Sequence, residues 1–274
     1  MRSYVAFCLA MVLLAGANAQ AGILYVTDGD SSRLARVDTV AGGAATVTTT
    51  HSGGYPIVVD TTVHIGVYYG PNAVEYQLNG TPTGSSVATA DINAVDAGFD
   101  PDNGVAYHLG NAFNTVATVY RSDESMTAGS FQALFGVSGS DLVGITYDTA
   151  LDALWISDEF NIYRYSVAGV LLQTFAHSGG RGSLAYEQAT DSLWYTRNGS
   201  NSVFQYSKAG ALLQTKSFSG LAANNWGSEF AMFPTSASTV PEPASMALLA
   251  MGGGLLAFGR KKLNRRPQTA DLAA

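Results

Sequence analysis

Gly144-Ile-Thr-Tyr-Asp148, Leu154-Trp155-Ile-Ser-Asp158, Tyr163-Arg-Tyr165-Ser166 and Ala168-Gly169-Val-Leu-Leu-Gln-Thr174 are answered in the same order further along the chain. The answering runs are Ser183-Leu-Ala-Tyr-Glu187, Leu193-Trp194-Tyr-Thr196, Phe204-Gln-Tyr206-Ser207 and Ala209-Gly210-Ala-Leu-Leu-Gln-Thr215. Each run is short, mixes apolar and aromatic residues with Thr and Ser, and is bounded by Gly, Asp or Asn, which end strands by turn chemistry. A unit of about 40 residues holding four such strands is one blade of a propeller, because a lone sheet of that size leaves its aromatic faces wet.

Working outward, the aromatic column Tyr25, Tyr68, Tyr107, Trp155 and Trp194 recurs at intervals of 43, 39, 48 and 39 residues. Five such units account for Ile23 to Gly220, so the sequence predicts an all-β, five-bladed propeller. Six blades are the alternative, if the 48-residue interval conceals one more. Ala168-Gly169, Ala209-Gly210, Asn79-Gly80 and Gly42-Gly43 fall between third and fourth strands, where a tight hairpin demands positive φ. The first unit starts at its second strand. Its missing inner strand is expected from Ser228-Glu-Phe-Ala-Met-Phe233, which would close the ring and leave no unpaired strand edge.

The chain has 274 residues, of which 13% are charged, against about a quarter in ordinary domains. Between the two terminal segments, 8 Lys+Arg face 20 Asp+Glu. So acidic a body excludes phosphate-backbone binding, and no nucleic-acid partner is expected. Cys8, the one cysteine, lies in the first apolar segment, which excludes a disulfide framework and a cysteine metal site in the body.

Both ends read as addresses. Arg2, the apolar run Tyr4 to Ala15 and the exit Ala17-Asn-Ala19 form a secretory signal with cleavage expected after Ala19. At the other end, Pro241-Glu242-Pro243 precedes an apolar run, 244–259, and a basic cluster of Arg260, Lys261, Lys262, Arg265 and Arg266. Sixteen residues of helix rise about 24 Å, short of a hydrocarbon core of about 30 Å. Snorkelling basic side chains cover the difference, so the run reads as a transmembrane helix with a cytoplasmic basic tail. The expected division is a signal helix at 1–19, the propeller at 20–234, a spacer with the Pro-Glu-Pro element at 235–243, the membrane helix at 244–259 and the tail at 260–274.

This tail closely resembles the PEP-CTERM sorting signal of exopolysaccharide-producing Gram-negative bacteria. The resemblance implies export, transient anchoring in the inner membrane, and processing near Pro241-Glu242-Pro243 by an exosortase-type enzyme, with release to the cell surface or extracellular matrix. The stretch beyond Arg266, 267–274, is longer than usual for such a signal. The body resembles NHL-like and related propeller repeats.

Chemistry is sparse. His51-Ser-Gly-Gly54 and His177-Ser-Gly-Gly180 both sit between the fourth strand of one blade and the first of the next. Ser138-Gly139 and Ser219-Gly220 occupy the same slot, which makes Ser-Gly the turn of the repeat. Two histidines without a third ligand make a weak metal site. Asp100-Pro-Asp102-Asn-Gly104 and Asp28-Gly-Asp30 hint at calcium loops, but Asp60, Asp148 and Glu187 end inner strands in the same way and mark a hairpin feature. No nucleophile motif is present, and His64 and His108 fall within second strands as structural residues. The expectation is a binding or structural module, not an enzyme, with no cofactor or metal and an exopolysaccharide or surface protein as partner. Its contact face is placed at His51, His177, Arg181 and Asn225. The alternative is a secreted propeller enzyme of lactonase or lyase type with a metal at the central channel.

Overall fold

The computed structural model describes residues 22–68, 70–221 and 224–232. The expected signal, Pro-Glu-Pro element, membrane helix and basic tail lie outside the described residues. Among the described residues no helix is long and apolar enough to cross a membrane.

Five four-stranded antiparallel sheets form the body. Blade 1 holds β1 (Ile23–Asp28), β2 (Arg33–Asp38) and β3 (Thr46–Thr49). Blade 2 runs β4 (Gly54–Val59), β5 (Thr62–Val67), β6 (Asn72–Gln77) and β7 (Pro82–Ala88). Blade 3 runs β8 (Ala97–Asp100), β9 (Val105–Gly110), β10 (Val116–Asp123) and β11 (Gln132–Ser138). Blade 4 runs β12 (Gly144–Asp148), β13 (Ala153–Ser157), β14 (Asn161–Ser166) and β15 (Leu171–Ala176). Blade 5 runs β16 (Gly182–Glu187), β17 (Ser192–Arg197), β18 (Ser202–Ser207) and β19 (Leu212–Ser217).

The last strand, β20 (Gly227–Phe230), returns to blade 1 as its inner strand. It pairs antiparallel with β1, Leu24 opposite Phe230 and Val26 opposite Ser228. The closure expected from the sequence is therefore present. The inner strands β20, β4, β8, β12 and β16 each touch the next around one axis, and β16 returns to β20. Six blades are excluded: the long interval between Tyr107 and Trp155 is taken up by a wide β10–β11 connection carrying a 3₁₀ turn, Ala128–Ser130.

One member of the aromatic column is misplaced. Tyr25, Tyr107, Trp155 and Trp194 pair with the inner-strand residues Glu229, Gly98, Thr146 and Ala185. In blade 2 the residue in that register is His64, opposite Val58, and Tyr68 lies beyond the end of β5. His64 fills the slot because its ring nitrogen finds the Thr62 hydroxyl at 2.9 Å.

Blades 4 and 5 show why the repeat reads as it does. The carboxylate ending each inner strand accepts the indole N–H of the column tryptophan on the next strand, Trp155 to Asp148 at 3.0 Å and Trp194 to Glu187 at 2.8 Å. Both indoles are fully buried, so each charge-assisted bond is worth about 1.5–3 kcal/mol. The hairpin glycines serve packing as well as turning: Gly169 (φ 86°) and Gly210 (φ 88°) lie against Phe135 and Phe175 of the preceding blade. A Cβ at either would stand 2.6 Å from that ring.

A closure this local can be locked. Ser228 turns its N–H away from β1, so Val26 and Ser228 form a non-hydrogen-bonded pair with Cα atoms about 4.5 Å apart, within disulfide reach. In a Cys8→Ser background, Val26→Cys with Ser228→Cys is expected to oxidise spontaneously and raise Tm by about 5 °C or more, reversibly with reductant. Free thiols persisting under oxidising conditions would contradict the closure.

Candidate functional site

Each inner strand pairs along one edge only, and its other edge turns N–H groups toward the axis. Asp96, just before β8, accepts three of them. Its Oδ2 accepts the N–H of Ile145 at 3.0 Å and of Leu184 at 2.9 Å, and its Oδ1 accepts that of Ser228 at 3.0 Å. A single carboxylate from blade 3 thereby joins blades 4, 5 and 1. Asp96 is completely buried, and burial drives its pKa well above the usual carboxylate range, against the pull of the amides.

Glu229 reaches the same axis. It too is fully buried, receives the Thr146 hydroxyl at 3.2 Å and the Phe230 N–H at 3.1 Å, and is pushed well upward by burial and then by the charge of Asp96. Thr146 in turn accepts the Tyr186 N–H at 3.0 Å. Two neighbouring buried carboxyls do not both ionise. The amide donors pull Asp96 back toward the charged form, while its charge adds to burial in pushing Glu229 upward. In the register of Glu229 the other blades place Val58, Gly98, Thr146 and Ala185. Gly98 is required there, since a Cβ would lie 2.4 Å from the Tyr147 nitrogen.

Above Asp96, where the inner strands begin, an aromatic cluster covers the axis. Tyr68, Val95, Ala112 and Val143 form its buried floor, with Tyr55, Phe113 and Trp226 partly exposed against it. The Phe113 ring meets Trp226 edge-on at 5.0 Å and Tyr68 at 5.9 Å, and Tyr68 meets Tyr55 at 5.4 Å. Charged groups rim the rings: Asp30 accepts from the Tyr55 hydroxyl and from the Trp226 indole at 3.3 Å. Arg181 lies over Phe113 at 5.8 Å and donates to Asp141 at 2.7 Å. Phe113 has φ 67°. A bulky residue in the left-handed region costs about 1–3 kcal/mol, and such strain gathers at working sites.

The residues expected on a contact face separate into two groups. Arg181 stands at this mouth. Asn225 is fully buried, its amide donating to the Ser200 carbonyl at 3.0 Å, and the neighbouring Trp226 takes the partly exposed place. His51 and His177 are loop locks. The Tyr76 hydroxyl of the next blade accepts the His51 N–H at 3.1 Å and meets its Nδ1 at 3.0 Å. The Tyr206 hydroxyl accepts the Ser178 N–H at 3.1 Å, while the His177 ring bonds the Asp158 carbonyl at 2.9 Å. Burial lowers both imidazole pKa values. The identical His-Ser-Gly-Gly runs thus answer to third-strand tyrosines.

The acids of the two calcium-like loops and His108 also hold local partners. Asp100 accepts the N–H groups of Asp102 and Asn103 in a turn, and Asp28 accepts that of Ser31. His108, fully buried against Ser122 at 2.8 Å, is pushed down to about 3 by burial.

Residues 239–266 match the PEP-CTERM protein-sorting motif, a stretch that includes Pro241, Glu242, Pro243 and the basic cluster from Arg260 to Arg266. The motif marks an exported sorting substrate of an exosortase-type processing enzyme. No curated protein sequence matches the chain. Among solved structures, a chain of a nidogen/laminin complex is 17% identical with TM-score 0.52, covering 78% of this chain and 82% of that one. The calcium-binding protein regucalcin of Agrobacterium tumefaciens strain C58 is 15% identical with TM-score 0.48, over 83% and 82% of the two chains. An inactive variant of virginiamycin B lyase from Staphylococcus aureus is 15% identical with TM-score 0.42, over 75% and 69%. At such identities the likeness is one of fold, the β-propeller that the repeats indicate.

The axial carboxyls make a pH prediction. The folded pKa of Glu229 is raised, so the folded state keeps a proton that the unfolded chain has released. The associated stability is present below the ordinary glutamate range and is lost as pH rises through the raised value. Asp158, lowered by its amide partners and Tyr163, acts with the opposite sign, so the informative quantity is the difference between wild type and variant. Glu229→Gln keeps the neutral shape and is expected to gain stability over wild type in urea unfolding as pH rises above the ordinary glutamate range. Parallel pH profiles for the two proteins would show that Glu229 does not titrate with folding.

Proposed function

We propose that this protein is an exported binding module. The sorting signal delivers the propeller through the inner membrane to the cell surface or extracellular matrix of a Gram-negative bacterium, and the aromatic mouth of the channel makes contact there. The observation that carries the reading is the gathering of Tyr55, Phe113 and Trp226 from three blades, partly exposed around one axis, with Phe113 held in a costly backbone conformation. Residues that served the core alone would be buried like Trp155 and Trp194.

An enzyme of lactonase or lyase type would work through open carboxylates at this end of the channel. Asp96 instead has both oxygens occupied by amides of three other blades, and Glu229 is spent on Thr146 and its own backbone. That occupancy supports binding over catalysis.

The reading is tested in cells that carry an exosortase system, with the full-length chain expressed in place. Ala substitution of Pro241, Glu242 and Pro243 together is expected to hold the chain in the inner-membrane fraction. Trp226→Ala is expected to leave export unchanged and shift the chain from the washed cell and matrix fraction to the medium by about tenfold, the loss of one central aromatic anchor. Undiminished retention of the Trp226→Ala chain on washed cells would remove the mouth as the contact face.

A further inference from the structure

Resting on that reading, we infer that the mouth takes an uncharged saccharide, a chain of neutral pyranose units. Three features of the mouth carry the assignment. The first is aromatic surface: Trp226, held at 5.0 Å by a T-shaped contact with Phe113, remains partly exposed and suits the C–H face of a sugar ring in the way aromatic surfaces take any flat apolar face. The second is where the polar groups lie. Asp30 holds the Tyr55 hydroxyl and the Trp226 indole through its two oxygens, and Arg181, lying over the Phe113 ring, holds the Asp141 carboxylate. Their remaining acceptor and donor sites lie beside the rings and can form charge-assisted bonds to neutral hydroxyls.

The third feature is charge. At the rim two carboxylates, Asp30 and Asp141, face one guanidinium, Arg181, which is itself ion-paired at 2.7 Å. The whole body adds a further excess of acids. A uronic or phosphorylated polymer would bring like charge within a Debye length of about 8–10 Å, with no free cation among these mouth residues to receive it. An apolar peptide would leave the rim groups buried without partners, at about 1–3 kcal/mol each. A neutral polyol satisfies both rings and rim.

The three tryptophans make the test specific. Trp155 and Trp194 are 0% and 1% exposed inside blades, so a ligand-dependent change in indole emission comes from Trp226. Full-length chain in detergent is titrated with cellohexaose, chitohexaose, mannohexaose and polygalacturonate. At least one neutral hexaose is expected to shift Trp226 emission saturably, with polygalacturonate weaker by tenfold or more. Calorimetry on Trp226→Phe and Phe113→Ala is expected to show tenfold or greater weakening, while near-ultraviolet dichroism from Trp155 and Trp194 confirms an intact fold. Saturable binding of polygalacturonate at equal or higher affinity would overturn the assignment. So would silence from every neutral hexaose while the Trp226→Ala chain still loses its hold on washed cells, a result that leaves the contact face in place and removes only the sugar class.

Discussion

A ring of sheets built around an axis has to satisfy the inward edges of its own inner strands. In this protein the main answer is one side chain. Asp96 accepts amides from three blades other than its own, at 2.9–3.0 Å, in a fully buried position. Each amide left without an acceptor there would cost about 1–3 kcal/mol, a large share of the 5–15 kcal/mol by which a domain of this size is stable. The remaining geometry follows from that bond set. β12, β16 and β20 must present their edges at one height, Gly98 must lack a side chain so that β12 can approach, and Glu229 must be accommodated beside a second buried carboxyl.

The sequence disclosed the blades because the repeat is written in residues whose chemistry is local. Asp148 with Trp155, and Glu187 with Trp194, each lie within one hairpin, so carboxylate and indole recur at fixed spacing in the chain. The closing strand was legible for a similar reason, since Ser228-Glu-Phe alternates as an inner strand must. Tyr68 misled because spacing alone cannot distinguish it from His64, which does occupy the column register. The axis itself was not legible. Asp96 bonds residues 49, 88 and 132 positions away, and Ala94-Val-Asp96 names none of those partners. Trp226 and Phe113 escaped notice likewise, as they belong to connections that differ from blade to blade. A lone acid in an apolar run before an inner strand was the available hint.

The axis divides into two regions. Its middle is closed by hydrogen bonds that leave no carboxylate oxygen idle on Asp96, and its mouth is finished with aromatic rings and a sparsely charged rim. The two regions differ in what they can do: one fixes the blades, and the other offers a surface. The sorting motif at 239–266 marks the chain for export.

Urea unfolding of Asp96→Ala beside Asp96→Asn tests this account most directly. The account predicts a loss of about 3 kcal/mol or more for alanine, or failure to fold, with asparagine intermediate because its one carbonyl oxygen can still accept from part of the amide set. An alanine variant within about 0.5 kcal/mol of wild type, the range of an ordinary surface change, would contradict it.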